Sequence, residues 1–287
     1  ARNLRKPIRP HRRHVHLFFR MTWFDHWGEK HHTRPAKDAA KELDAMLKAG
    51  ASVNFYVFHG GTNFGFMAGA NGNGAEAGDY GPTVTSYDYD APLSESGDPT
   101  PKFFAFQEVI RKYRKDAAFG TPRPGRKQSP GRVKFIESAP LFGQLDRLSA
   151  RRHALKPLTM EACGQSYGFI NYRTVIDGPA EENLYFPEVR DRVSAYLDGE
   201  YLGTVYRNDA NRRIPFRLKK ETGVLDLLVE NTGRINYCPL VGRDQKGLPL
   251  GVCIGWQSQI ELDIWNLELD DISKVEYGEY RNAKEVP

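Results

Sequence analysis

The chain has 287 residues, of which 40% are apolar and 12% aromatic, so it can bury a hydrophobic core and is not of disordered composition. It has no run of about 18 apolar residues and no recognisable signal peptide, so we predict no membrane partner, and these features leave the cellular compartment open. The net charge of +5 is local, because six Lys and Arg residues and no acid fall within residues 1–16. No nucleic-acid reader motif accompanies this stretch. We therefore predict a solvated tail and no nucleic-acid partner, with nucleic-acid binding as the alternative.

The first half of the chain alternates predicted helix and strand. Residues 35–50 carry alanines and apolar side chains at helical spacing and end at a glycine, which predicts a helix. The β-branched and aromatic run at 52–58 predicts a buried strand. Residues 101–116 begin with proline and present an apolar face, which predicts a second helix. This alternation is typical of an α/β barrel.

Aromatic and polar residues are concentrated in two stretches next to these elements. A loop rich in Asn, Gly and Tyr starts at Gly60 and ends in the sequence SYDYDAPLSE. Upstream, WFDHWG combines aromatic, acidic and glycine residues before the first helix. Strands of an α/β barrel carry their functional side chains at their C-terminal ends, so these two stretches predict a sugar site.

A change of pattern follows residue 118. Residues 119–132 are rich in Pro, Gly and basic residues and are predicted to be a linker. Residues 133–278 are predicted to form a β-rich domain, a β-sandwich or jelly roll, with residues 279–287 as a tail. The segment from Trp256 to Asp271 is interpreted as the lead into a further β-domain. The predicted strands are Tyr167–Ile176, Arg192–Leu197, Tyr201–Tyr206, Ile214–Leu218 and Val224–Glu230, with a hairpin turn at Asp198-Gly199.

Five stretches, WFDHWGEKH, VNFYVFHGGTNFGFMAGAN, TSYDYDAPLSESGD, GQSYGFINYRT and LLVENTGRINY, resemble glycoside hydrolase family 35, the retaining β-galactosidases. The resemblance implies an α/β + β fold: the C-terminal part of a (β/α)8 TIM barrel within residues 1–118, then a galactose-binding-like jelly roll. It also implies β-galactosides or galactose-containing glycans as ligands, retaining hydrolysis of terminal β-D-galactose, and no cofactor. A complete barrel takes about 250 residues, so we expect an incomplete barrel and a truncated chain.

The catalytic acids of the family have no counterpart in this sequence. A retaining glycosidase uses two carboxyl groups about 5–5.5 Å apart. The resemblance places the nucleophilic glutamate five residues before Trp23, where this chain has Phe18, and the acid/base glutamate on an earlier strand. We therefore predict no catalytic residue and no activity for this chain by itself, and leave open whether it is an enzyme. The Arg/His/Pro-rich residues 1–21 are atypical, and we hypothesise an out-of-frame or mis-started reading.

Three aromatic residues are the predicted substrate contacts. Tyr56 and Tyr89 match tyrosines near the family's galactose pocket, and Trp23 offers a flat apolar face to a sugar ring. For each of them, packing in a core is the alternative. Trp27 and Phe64 are predicted to pack.

Three alternative functions have some support in the sequence. A metal cluster within DHWGEKHH would use acids and histidines, but the spacing is not that of a zinc motif, so we predict no metal. A phosphate site at Gly60–Asn63 is disfavoured because no basic residue follows nearby. The competing function class is a non-catalytic carbohydrate-binding or scaffold module formed by residues 133–278. The residues of the considered metal cluster are Asp25, His26, Glu29, His31 and His32.

Overall fold

The computed structural model describes residues 16–20, 22–72, 80–120, 122–259 and 261–280, and only the backbone of 16–20 apart from Phe19. Within them the chain forms two compact units. Unit 1 comprises residues 1–62 and 86–127, and unit 2 comprises residues 63–85 and 128–287. The elements in chain order are β1 (His16–Arg20), α1 (Ala36–Lys48), β2 (Ser52–Tyr56), β3 (Gly69–Gly72), β4 (Tyr80–Pro82), α2 (Pro101–Tyr113), β5 (Glu137–Ser138), a 3-10 turn (Leu141–Gly143), α3 (Leu145–Leu148), β6 (Arg152–Ala154), β7 (Phe169–Asp177), β8 (Ala180–Tyr185), β9 (Arg192–Leu197), β10 (Glu200–Tyr206), β11 (Arg213–Leu218), β12 (Thr222–Glu230), β13 (Arg234–Tyr237), β14 (Cys253–Ile254), β15 (Gln257–Ser258), β16 (Leu262–Leu267) and β17 (Gly278–Glu279).

Unit 1 contains two consecutive strand–helix pairs. Strands β1 and β2 run parallel with Phe19 opposite Phe55, and α1 connects them. Helix α2 packs against α1. The fully buried Phe19 lies edge-on to Phe55 and Phe106, with ring centroids 5.8 and 5.7 Å away, which holds the sheet against α2. Both predicted helices are confirmed, and the strand predicted at 52–58 is present as β2, which ends at Tyr56. The prediction that this strand is buried is wrong, because its residues alternate between exposed and half-buried positions.

Unit 2 consists mainly of two antiparallel sheets that share one core. The larger sheet has the order β10-β9-β12-β7-β16-β6, and the smaller has the order β11-β8-β14-β15. Side chains alternate between the core and the outside, as on β11, where Ile214, Phe216 and Leu218 are buried. These residues pack against Leu225 and Leu227 of the larger sheet. The β-rich class predicted for this part of the chain is therefore confirmed.

The five strands predicted in unit 2 are present within two residues at each end. The two main sheets contain five further strands that were not predicted, namely β6, β8, β14, β15 and β16. Strand β8 has the sequence AEENLY, whose acidic residues lack the apolar alternation that predicts a strand. The interpretation of Trp256–Asp271 as the lead into another domain is wrong. Strand β16 lies between β7 and β6 in the larger sheet, where Trp265 and Ile264 are buried.

Residues 63–85 form part of unit 2. Strand β3 pairs in parallel with β13, with Ala70 opposite Ile235, and antiparallel with β4. Ala70, Ile235 and Tyr80 form a small core of their own. Strand β13 is distant in sequence, yet its pairing with β3 makes the segment between β2 and the SYDYD stretch part of unit 2.

The described residues of the predicted linker, 119–120 and 122–132, contain no helix or strand. Residues 1–15, which carry most of the basic tail considered for nucleic-acid binding, lie outside the described residues. Among the described residues, no helix has the length and hydrophobicity of a membrane span.

Candidate functional site

Three tyrosines of unit 1 meet where β2 ends. The rings of Tyr56 and Tyr89 are perpendicular with centroids 5.6 Å apart, and Tyr87 lies 5.4 Å from Tyr89. The hydroxyl oxygens of Tyr56 and Tyr87 are 3.4 Å apart. Tyr56 is 39% exposed, Tyr87 is half-buried and Tyr89 is only 3% exposed. The cluster therefore presents two phenol hydroxyls at its accessible side, while the ring of Tyr89 supports Tyr56 from inside.

The third predicted contact, Trp23, joins this cluster through Phe24. The rings of Trp23 and Phe24 are stacked at 5.0 Å, and Phe24 in turn stacks on Tyr87 at 5.7 Å. The structure thus brings Trp23, Tyr56 and Tyr89 into one aromatic group. The sequence analysis missed Tyr87 and Phe24. A spacing of two residues places side chains on one face only in an extended segment, and the backbone at Tyr89 is not extended, so the pattern did not report this pairing.

A close backbone approach holds the SYDYD stretch against the end of β2. Gly60 lies so near that a Cβ atom there would stand 1.7 Å from the carbonyl oxygen of Tyr87, so no other residue fits without movement of the backbone. The amide of Tyr87 donates to the carbonyl oxygen of Gly61 at 2.9 Å. Further along, the amide of Leu93 donates to the carbonyl oxygen of Phe58 at 3.1 Å. These contacts fix the position of Tyr87 relative to Tyr56.

The backbone of Tyr89 and Asp90 is in the left-handed region, with φ angles of 62° and 50°, and two neighbouring side chains stabilise it. The hydroxyl of Thr22 donates to the carbonyl oxygen of Tyr89 at 2.9 Å. The buried ammonium group of Lys102 donates to the carbonyl oxygen of Asp90 at 2.8 Å and contacts its carboxylate. Burial lowers the pKa of Lys102, although the adjacent Asp90 carboxylate opposes that shift.

The DHWGEKHH stretch forms a carboxylate–histidine group in unit 1. Asp25 accepts hydrogen bonds from the ring of His31 at 2.5 Å and from the ring and amide of His32 at 2.8 and 2.9 Å. Burial opposes ionisation of Asp25, but the hydrogen bonds from His31 and His32 outweigh it and lower the pKa. The hydrogen bond to Asp25 raises the pKa of His31. Among the described residues, no group of three or more His, Cys, Asp or Glu side chains is arranged to hold a metal ion.

The acidic residues of the SYDYDAPLSE stretch are engaged in holding its shape. Asp88 accepts the amides of Asp90 and Glu95 at 2.9 and 3.2 Å. Asp90 also accepts the amide of Arg34 at 2.6 Å. Hydrogen bonds from Ser86 and Thr62 lower the pKa of Glu95. The hydrogen bonds of these carboxylates therefore stabilise the conformation of the loop.

Phe18, at the position predicted for the nucleophile, lies on β1 with Asn54 as its neighbour on β2. Two residues further along β1, Arg20 is opposite Tyr56 in the same register. The backbone of β1 thus runs beside the strand that ends in the tyrosine cluster.

Exposure decides the two packing predictions, for Trp27 and Phe64, and hydrogen bonding bears on the alternative of a phosphate site at Gly60–Asn63. Trp27 is 70% exposed and Phe64 is 83% exposed, so the prediction that they pack is wrong. Trp27 lies in a turn and Phe64 in the connection before β3, where the described residues provide no core to cover them. In the Gly60–Asn63 turn, the amide of Asn63 donates to the carbonyl oxygen of Thr85 at 2.7 Å, so that donor is not available to a phosphate.

Comparison with known proteins gives the class of this chain. Residues 2–113 match the profile of glycosyl hydrolases family 35, and residues 157–268 match the first all-beta domain of beta-galactosidase. The chain therefore belongs to glycoside hydrolase family 35, as its sequence motifs predict.

Its relatives carry the name beta-galactosidase. The chain is 38% identical over 242 residues to the Beta-galactosidase of Xanthomonas manihotis, covering 82% of this chain and 40% of that protein. It is 37% identical over 285 residues to the Beta-galactosidase-1-like protein of Mus musculus (95% and 42%), and 36% identical over 263 residues to the human Beta-galactosidase (89% and 37%). The chain thus spans about two fifths of the length of these relatives. A solved GH2 beta-galacturonidase from Eisenbergiella tayi matches with a TM-score of 0.26 and 11% identity over 42% of this chain and 23% of that one, which supports no conclusion.

Proposed function

We propose that the tyrosine cluster of unit 1 is part of a binding site for a terminal β-galactosyl group. The observation that carries this proposal is the 3.4 Å separation of the Tyr56 and Tyr87 hydroxyls at the accessible side of an aromatic group. Neighbouring sugar hydroxyls require donors and acceptors at such spacing, and aromatic faces pack against the C–H surface of a sugar ring. In this proposal Tyr56 and Tyr87 contact the sugar, Tyr89 supports them, and Trp23 extends the aromatic surface.

We also propose that this polypeptide does not hydrolyse galactosides by itself. Double displacement with retention requires two carboxyl groups about 5–5.5 Å apart. Among the described residues of the SYDYDAPLSE stretch, the carboxylates accept hydrogen bonds from the loop's own amides and hydroxyls, and β1 carries Phe18 at the position predicted for the nucleophile. An assay with a chromogenic β-galactoside tests this, and turnover above a no-protein control would contradict it.

Binding is tested by titrating the full chain with galactose while recording NMR spectra of labelled tyrosines. Tyr56→Phe removes one hydroxyl and keeps the ring, and loss of one hydrogen bond to the sugar is expected to weaken binding about 10-fold. Tyr201→Phe is the matched control, because Tyr201 is 40% exposed and its hydroxyl is hydrogen-bonded to Thr204 in unit 2. Equal affinities of the two variants would contradict the proposed site.

A second candidate function is favoured by one observation in unit 2. Trp256, at the tip of the β14–β15 hairpin, is 101% exposed, and the neighbouring Gly255 lies beside the carboxylate of Glu182, which a Cβ atom would approach to 3.7 Å. An exposed indole offers a flat apolar face on which the C–H surface of a sugar ring can pack. In the same titration, Trp256→Ala abolishes galactose binding if this module is the binding site, and leaves it unchanged if the tyrosine cluster is.

Our proposal also covers the barrel identity of unit 1, the jelly-roll identity of unit 2 and the domain limits. We infer that unit 1 corresponds to the last two strand–helix pairs of a (β/α)8 barrel, because β1 and β2 are parallel and each is followed by a helix. The two antiparallel sheets of unit 2 support a galactose-binding-like jelly roll. The predicted domain limits, 1–118, 119–132, 133–278 and 279–287, belong to the same proposal.

A further inference from the structure

Unit 2 contains a buried cluster of charged side chains around Lys246. The Lys246 side chain is 0% exposed, and its ammonium nitrogen lies 2.8 Å from both carboxylate oxygens of Asp191 and 2.9 Å from Oδ2 of Asp244. It also donates to the carbonyl oxygen of Gly233 at 2.8 Å. The guanidinium group of Arg207 contacts both carboxylates, at 3.2 Å to Asp191 and 2.8 Å to Asp244. The groups of this cluster are therefore paired as well as buried.

Tyr80 connects the segment of residues 63–85 to this cluster. Its hydroxyl lies 2.6 Å from the carbonyl oxygen of Gly233 and 2.9 Å from Oδ2 of Asp191, and its ring lies under the guanidinium group of Arg207 at 4.3 Å. The side-chain amide of Asn208 donates to the carbonyl oxygen of Tyr80 at 2.8 Å. Side-chain and backbone atoms of Tyr80 are thus held by residues far along the chain.

The chain joins both ends of the 63–85 segment to unit 1, and Tyr87 follows two residues after the segment ends. The amide of Asn63 donates to the carbonyl oxygen of Thr85 at 2.7 Å, where the segment begins and ends. One residue further on each side, Thr62 and Ser86 form a β-bridge, and the amide of Tyr87 donates to the carbonyl oxygen of Gly61 at 2.9 Å. A short two-stranded ribbon therefore continues from the 63–85 segment to Tyr87.

We propose that Tyr80 and Asn208 are positioning residues for Tyr87. By anchoring the 63–85 segment they keep the ribbon closed, and the closed ribbon holds the Tyr87 hydroxyl beside that of Tyr56. Loss of the Tyr80 hydrogen bonds to Gly233 and Asp191 leaves the segment held by the pairing of β3 with β13, so the ribbon opens more often from Asn63 towards Tyr87. The effect on sugar binding rests on the proposed function, whereas the effect on the ribbon does not.

The test is backbone amide hydrogen exchange of the full chain, followed residue by residue. Tyr80→Phe removes the hydroxyl that bonds to Gly233 and keeps the ring. We expect exchange of the Asn63 and Tyr87 amides to accelerate about 10-fold relative to Val229 in β12, because one hydrogen bond no longer opposes local opening. Normalising to Val229 removes the contribution of global unfolding.

Tyr172→Phe is the matched control. The Tyr172 side chain is fully buried, and its hydroxyl donates to a backbone carbonyl, that of Leu158, at 2.7 Å, but it lies outside the 63–85 segment. We expect the normalised exchange of Asn63 and Tyr87 to stay within about 2-fold of wild type in this variant. Asn208→Ala is a second test at an exposed position, where the fold is not at risk, and we expect acceleration there as well. Normalised exchange that is the same in Tyr80→Phe, Asn208→Ala and Tyr172→Phe overturns the proposal.

Galactose titration of the same variants separates this inference from the proposed function. Faster exchange in Tyr80→Phe supports the positioning role even if wild type fails to bind galactose, which would refute only the proposed function. If wild type binds galactose and Tyr80→Phe changes neither exchange nor affinity, the positioning role is refuted and the proposed function stands. Faster exchange together with weaker galactose binding in Tyr80→Phe supports both.

Discussion

Replacing Lys246 by methionine tests how much the buried charge cluster contributes to the stability of unit 2. Methionine fills a similar volume but removes the ammonium group that contacts Asp191, Asp244 and Gly233. Asp191 is 2% exposed and Asp244 is 7% exposed, so water cannot take the place of the lost contacts. Two carboxylates then share the remaining donors.

Breaking a buried ion pair by removing one partner costs about 3–5 kcal/mol. For a unit of this size, 1 kcal/mol corresponds to a change of about 2–4 °C in the melting temperature, so Lys246→Met should lower Tm by about 6–20 °C. An exposed pair is worth far less. Lys220, whose side chain is 70% exposed, lies 3.1 Å from Asp198, so Lys220→Met should cost under about 1 kcal/mol.

Differential scanning calorimetry of the full chain, supported by urea unfolding, measures both variants. The double variant Lys246→Met/Asp191→Asn should be less destabilised than the sum of the single variants, since each removes a partner of the other. Equal losses for Lys246→Met and Lys220→Met, or strict additivity in the double variant, would refute the reasoning.

The pH dependence gives an independent check on the same cluster. Burial opposes ionisation of Asp244, but Lys246 and the nearby Arg207 outweigh it and lower the pKa of this carboxyl. A lowered carboxyl pKa contributes stability that is present above the ordinary value of about 4 and is lost as the pH falls through the folded-state value. The stability difference between wild type and Lys246→Met should therefore shrink at low pH.

Two further predictions concern unit 1. Gly60→Ala would place a Cβ atom 1.7 Å from the Tyr87 carbonyl oxygen and should cost about 1–3 kcal/mol in urea unfolding. Gly120→Ala, also in unit 1 and with no atom within 4 Å of the added Cβ, should change stability by less than about 0.5 kcal/mol, and equal losses would contradict the close approach. The raised pKa of His31 means that its contribution to stability is present below about pH 6.5 and is lost as the pH rises through the folded-state value. By NMR, Asp25→Asn should lower the titration midpoint of His31, and an unchanged midpoint would show that the hydrogen bond is not its cause.

Local sequence patterns were sufficient to predict the two long helices and most of the described strands of five or more residues. Helices α1 and α2 have apolar spacing together with a proline or glycine at one end, and β9, β11 and β12 have β-branched or alternating residues. Strand β8 was missed because Glu181 and Glu182 lie on a short strand whose outer face is exposed. Strand β16 was assigned to another domain because periodicity identifies a strand but not its partner.

The tyrosine cluster was only partly predictable. The residue types around Tyr56 and Tyr89 indicated a site, and the structure brings their rings into contact. The role of Gly60 depends on which carbonyl oxygen it approaches, and the anchoring of Tyr80 depends on residues more than a hundred positions away. Such pairings are set by tertiary packing, so no local pattern reports them.

The distance along the chain between Tyr80 and Lys246, 166 residues, has a consequence for biosynthesis. A ribosome adding about 5–20 residues per second needs roughly 10–30 s to reach Lys246 after Tyr80 has been made. During that interval α1, β2 and α2 are available to fold, whereas β3 cannot pair with β13 until β13 has been translated. In the nascent chain Ala70 and Tyr80, which are buried against Ile235 in the folded protein, therefore stay exposed, and such transiently exposed apolar surface is what chaperones protect.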